Sequence, residues 1–187
     1  LSFAHLFHDV GKPMCHTSKW VDNNIVDNFY DHEEQGAKVA QRICHRLKFS
    51  KEDSKKICFL IENHMRLHFA HSDKSIRKLI QHCFEHGDRG LVWDLYKILE
   101  ADIAGQVNKN IDLDTLEFKI REGLEFFGKP TKMECPVTGF EIMNVMGIKN
   151  GPNIGKIKNH VVEQILEEGL DFKDKDRIWA IVKDFIS

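Results

Sequence analysis

Apolar residues recur three and four positions apart along most of this chain, and that period confines it to a fold built from helices. Ala37, Ala40, Ile43, Cys44 and Leu47 form one such stripe, with Arg42, Arg46 and Lys48 among the polar positions. A second helix opens at Ser50, whose hydroxyl can accept from the Asp53 amide, and its apolar face is Ile57, Leu60 and Ile61. A third starts near Ser75 and buries Ile76, Leu79, Ile80 and Cys83, and Gly87 ends it or starts a turn. Leu91 to Ala104 makes a fourth through Leu95, Ile98 and Leu99, and 113–127 a fifth through Leu116, Ile120 and Leu124. Gly128-Lys129-Pro130-Thr131 and Cys135-Pro136 read as breaks. A short helix is expected around 140–146, an amphipathic one over about 153–168 and a last one around 178–186. Alternation of period two is absent, so the expectation is an all-α fold of at least seven helices with essentially no sheet.

The remaining bulk properties exclude several classes. With 42% hydrophobic and 30% charged residues, the 187-residue chain can bury a core as one domain, or as one with a small appended module. No apolar run approaches the roughly 18 residues that cross a bilayer, so no membrane partner is expected. The five cysteines are scattered and odd in number, which fits reduced thiols in a cytoplasmic setting better than a disulfide framework. A net charge of -2 leaves no general electrostatic footprint for nucleic acid, so any RNA contact must be a local basic patch. With no initiating Met and no secretory-type leader, Leu1 reads as a fragment boundary.

The chemistry is concentrated in Phe7-His8-Asp9-Val10-Gly11-Lys12-Pro13, followed at long intervals by His32-Glu33, His64 and Asp102. On a helix, neighbouring side chains diverge by only about 100°, so one cation can bridge His8 and Asp9. Asp102 comes from a different helix and can close such a site from its other side. Imidazole with carboxylate suits Mn, Fe, Co, Ni or Zn, and less well Mg. The plain structural alternative is a helix-end ion pair of Asp9 with Lys12 and an ordinary capping role for Asp102. Lys12 and Arg66 are cations placed to neutralise a phosphate, and each also fits an ordinary surface position. His68 and His71 follow His64 at four and seven residues, but Phe69 and Ser72 suggest a helix end, so both are expected to be solvated.

These runs resemble the HD domain, an all-helical metal-dependent phosphohydrolase fold. The closer resemblance is to the HD-containing half of bacterial tRNA nucleotidyltransferases, the CCA-adding enzymes. It is carried by Leu6-Phe7-His8-Asp9-Val10-Gly11-Lys12-Pro13, by His32-Glu33-Glu34-Gln35-Gly36-Ala37, by Leu60-Ile61-Glu62-Asn63-His64-Met65 and by Glu100-Ala101-Asp102-Ile103-Ala104-Gly105. It continues through Gly139-Phe140-Glu141-Ile142-Met143 and Met146-Gly147-Ile148-Lys149-Asn150-Gly151-Pro152, which are similar to that family's C-terminal RNA-binding segment. The nucleotidyltransferase head and the upstream His that begins the HD ligand set do not occur in this sequence.

The resemblance implies a helical HD bundle over 1–130 and a small RNA-binding-like helical module over 131–187. It implies His8, Asp9, Asp102, His32 and His64 as ligands of a divalent ion (Mg, Mn, Ni, Fe, Co or Zn). Asp9, Lys12, His32 and His64 would serve catalysis, with His32 and His64 holding either a second ion or the substrate phosphate. Lys12 and Arg66 would bind the phosphate, and Lys149 and Lys156 an RNA backbone at a helix start. The expected activity is a phosphatase or phosphodiesterase acting on nucleotides or RNA ends. The alternative is the non-catalytic, tRNA-binding body and tail of a CCA-adding or poly(A) polymerase-like enzyme.

Overall fold

The computed structural model describes residues 1–105, 111–128, 134–148 and 151–185, and these carry eleven helical segments and one β-hairpin. In chain order they are α1 (Ser2–Phe7), α2 (Lys12–Cys15), β1 (Thr17–Val21), β2 (Asn24–Asn28), α3 (His32–Arg46), α4 (Lys51–Asn63), α5 (Arg66–Phe69) and α6 (Asp73–Glu85). Then follow α7 (Leu91–Ala104), α8 (Leu113–Phe127), α9 (Gly139–Met146), α10 (Pro152–Glu168) and α11 (Lys175–Asp184). The expected helices are therefore present, and their ends obey local chemistry. Ser50 caps α4 by accepting from the Asp53 amide, and Thr138 with Glu141 forms a reciprocal capping box on α9.

The hairpin corrects the expectation of no strand. Strands β1 and β2 pair antiparallel, with Thr17 opposite Asn28 and Trp20 opposite Ile25. Asp22 and Asn23 both take positive φ, 48° and 64°, which is the left-handed pair that a two-residue hairpin turn requires. Every residue of β1 is exposed, and so is all of β2 except Asn28. With neither face buried, the strands carry no alternation of apolar and polar residues to be read.

The chain divides into two compact units, neither of them continuous. Leu1–His71 with Gly90–Glu117 forms the first, and Ser72–Arg89 with Phe118–Ser187 the second. A boundary near residue 130 lies outside the described residues.

In the first unit α3 packs on α4, and α1 and α7 also pack on α4. The core is Ala40, Leu60, Ile61, Leu95, Ile98 and Leu99, all essentially inaccessible. Leu47, expected on the apolar stripe of α3, is exposed because it is the helix C-cap and the chain turns through Lys48 at φ 57°.

In the second unit α6 packs on α10, and α9 and α11 pack there too. Its core centres on Ile142, Ile157, Val161, Ile165, Ile178 and Val182. Arg77 on α6 donates to Leu166 O at 2.7 Å and Glu167 O at 3.1 Å, satisfying carbonyls that the end of α10 leaves open. Lys78 pairs with Glu163 at 2.9 Å, and Lys74 with Glu167.

Candidate metal centre

The site grows from the turn after α1. His8 keeps helical backbone angles as the cap of α1, so His8 and Asp9 project from adjacent positions of one turn. Gly11 must be glycine. A Cβ there would stand 2.0 Å from His32 O and 2.7 Å from Gly36 N, so backbone meets backbone where α2 begins beside the first turn of α3. This contact brings Asp9 next to His32. A Cβ on Gly36 would in turn lie 3.2 Å from Ile61 Cγ2, so α3 and α4 also approach closely. His64, the cap residue of α4, completes the set.

Three imidazoles share one orienting device. Nδ1 of His8 donates to His5 O, that of His32 to Phe29 O and that of His64 to Ile61 O, each at 2.7 Å and each three residues back. A carbonyl only accepts, so in each neutral ring the proton is on Nδ1 and the lone pair on Nε2. This is how metal-binding histidines are held.

Those lone pairs converge with a carboxylate. Asp9 Oδ1, His32 Nε2 and His64 Nε2 lie within 4.8 Å of one another. The two nitrogens are 3.3 Å apart, and Asp9 Oδ1 is 3.4 Å from His32 and 3.9 Å from His64. Ligand bonds of about 2.1 Å place neighbouring donors about 3.0–3.4 Å apart, so the spacing fits one cation between them. Three donor atoms facing one another are what a cation site requires, and the two imidazoles among them are buried. His32 and His64 are two of the three buried polar residues among those described, the other being Asn63, which donates to Phe59 O.

The other oxygen of Asp9 looks toward different partners. Oδ2 is 3.3 Å from His8 Nε2 and accepts from Lys12 Nζ at 2.5 Å. His8 Nε2, itself buried, is also 4.0 Å from Asp102 Oδ1. Sequence reasoning expected His8, Asp9 and Asp102 to surround one ion. In the structure His8 stands between the two carboxylates, and the tight donor group among the described residues is Asp9, His32 and His64.

Electrostatics follow from this packing. Burial alone would raise the Asp9 carboxyl, but hydrogen bonds from His8 and Lys12 outweigh it and hold the group well below the usual carboxylate range. The bond to Asp9 raises His8 above its ordinary value, against the cost of burial. Burial lowers His64, and the neighbouring His8 and His32 lower it further.

The remaining candidates are scattered. Arg66 opens α5 with its side chain exposed, and Lys156 is exposed near the start of α10 in the second unit. Lys149 lies outside the described residues. His68 corrects the expectation of a solvated side chain. Its ring is only 7% exposed and its Nε2 is 3.4 Å from Asp102 Oδ2. The helix does end before Ser72, as read, but α5 packs on α7 and so carries His68 inward.

Residues 1–89 match the family model of the HD domain. The chain is similar to the CC-adding tRNA nucleotidyltransferase of Thermus thermophilus, at 26% identity over 95% of this chain and 38% of that protein. It is also similar to the A-adding tRNA nucleotidyltransferase of Deinococcus radiodurans, at 27% identity over 87% of this chain and 37% of that one. A bifunctional uridylyltransferase/uridylyl-removing enzyme of Cupriavidus pinatubonensis is 30% identical over 56% of this chain and 11% of its own length. The chain thus spans less than two fifths of the nucleotidyltransferases it matches. No solved structure matches it.

Proposed function

Because this chain carries an HD domain over residues 1–89 and is related along most of its length to bacterial tRNA nucleotidyltransferases, we propose that it is a metal-dependent phosphohydrolase acting on phosphate esters of nucleotides or RNA ends. One observation carries the reading: Asp9 Oδ1 and the Nε2 atoms of His32 and His64 face one another at ligand spacing, with every imidazole oriented from behind by a backbone carbonyl. Two neutral imidazoles and a carboxylate suit a borderline divalent ion such as Mn, Co, Ni or Zn. Such an ion supplies Lewis-acid stabilisation to a phosphoryl group and a water of lowered pKa.

The chain's own residues set the rest. Asp9, His32 and His64 would hold the cation, with His8 and Asp102 as further ligands on the other side of Asp9. Burial of His32 and His64 keeps bulk water from the back of the site, while Asp9, 35% exposed, opens it to substrate. Lys12 Nζ, now on Asp9 Oδ2, is the ammonium that would meet an incoming phosphate as a point charge, with Arg66 a second such cation. The test is hydrolysis of a 2′,3′-cyclic nucleotide phosphate by the protein loaded with Mn, Co, Ni or Zn, alongside metal analysis. Asp9→Ala is expected to lose both the metal and the hydrolysis. Metal content that survives Asp9→Ala overturns the ligand assignment, and a loaded protein that leaves the ester intact overturns the activity.

A second reading has an observation of its own. The likeness to the nucleotidyltransferases runs past residue 89 and over 95% of the chain, as a tRNA-grasping body and tail would require. Lys149 and Lys156, flanking the start of α10, would then contact the RNA backbone. Both readings can hold for one protein.

A further inference from the structure

We propose that His68 is a positioning residue of the metal centre, acting through Asp102. The inference rests on the reading above that Asp102 belongs to that centre. Asp102 sits in the last turn of α7, and its two oxygens are flanked by different rings: Oδ1 by His8 Nε2 at 4.0 Å and Oδ2 by His68 Nε2 at 3.4 Å. The terminal torsion of an aspartate is soft, so one contact leaves the carboxylate plane free to turn. A second ring on the second oxygen fixes the plane and presents Oδ1 toward His8. The Asp102 side chain is 16% exposed, so little solvent competes with His68 for that oxygen.

The fold commits elements to this arrangement. The helix α5 has only four residues, too short to be stable alone, and it is anchored by Leu67 and Ala70, which are 1% and 5% exposed. It packs on α7, the helix that carries Asp102. The four-residue spacing from His64 is thereby used twice: His64 faces Asp9 Oδ1 and His68 faces Asp102 Oδ2. The two carboxylates of the centre are each served by a histidine from one short stretch of chain.

The test is Co(II) binding to the whole chain, read by calorimetry and by the visible absorption of the bound ion. His68→Leu is expected to weaken binding about 10–100-fold, the range for partners that orient a ligand from behind. His68→Gln, which returns an N–H near the position of Nε2, recovers most of that loss. His68→Asn, which keeps a polar group but draws it back from Asp102, does not, and so separates position from packing. In an Asp102→Ala background His68→Leu adds nothing, because the two act as one unit. Wild-type Co(II) affinity and spectrum in a His68→Leu protein that melts normally overturns the proposal, as do losses that simply add. A silent Asp102→Ala overturns the metal role of Asp102 itself, a failure told apart by which single substitution has no effect.

Discussion

At the scale of single residues, the histidines of the site are chemically distinct although each makes the same Nδ1 bond. His8 is raised by its hydrogen bond to Asp9, and His64 is lowered by burial. The signs oppose each other. A histidine whose value is raised on folding contributes stability below its unfolded value near 6.5, and loses it as pH rises through the folded value. One whose value is lowered costs stability as pH falls below about 6.5, because the unfolded chain takes up that proton first. In metal-free protein, titration followed by NMR should therefore find His8 still protonated above pH 6.5 and His64 still neutral below it. Titration of both rings together near 6.5 would show that the Asp9 contact and the burial do not operate. Divalent ion should abolish both transitions, since each ring would then be held neutral by a ligand bond.

At the scale of elements, the turn between α1 and α2 does the most to build the site. Gly11→Ala is expected to cost at least about 3 kcal/mol, above the usual range for overpacking, since the clash is with backbone that cannot rotate away. It should also remove metal binding by parting Asp9 from His32. Gly155→Ala gives the opposite result. Residue 155 lies in α10, where an added methyl would meet nothing within 4 Å, and the change should raise stability by about 0.5–1 kcal/mol. Thermal melting of the two variants checks both signs.

The same elements show what a sequence makes legible. The span of α7 and the Ser50 cap of α4 were readable because a buried stripe and a capping hydroxyl are local signals. The pairing of His8-Asp9 with His32 and His64 was readable only through family likeness, and the close approach at Gly11 was not readable, since it depends on where α3 sits. The hairpin was not, since both its faces meet solvent, although Asp22-Asn23 between Trp20-Val21 and Ile25-Val26 was its one local trace. His68 was not readable either. The helix end before Ser72 is local, but the seat of α5 on α7 depends on residues about thirty positions away.

At the scale of the whole molecule, the candidate residues fall on two compact units. The donor cluster belongs to the first and Lys156, near the start of α10, to the second. If the second grips RNA by its phosphates, Lys149→Glu with Lys156→Glu should weaken tRNA binding and flatten its dependence on salt by about one to two in log–log slope, since each lost contact releases fewer counterions. Hydrolysis of a small cyclic phosphate should be untouched. Filter binding across a salt series measures the slope, and an unchanged slope would leave those lysines without an RNA role. Among the described residues no helix is long and apolar enough to cross a membrane.

The discontinuity of the units also sets the order in which the protein can assemble. The backbone passes from one unit to the other at residues 71–72, 89–90 and 117–118. Arg77 must find Leu166 across 89 positions of sequence. During synthesis α6 leaves the ribosome long before α10 exists, and its cations Lys74, Arg77 and Lys78 have to wait without their partners on α10. Closing so long a loop is slow, and α6 stays unlatched to α10 until the C-terminal part of the second unit has been made.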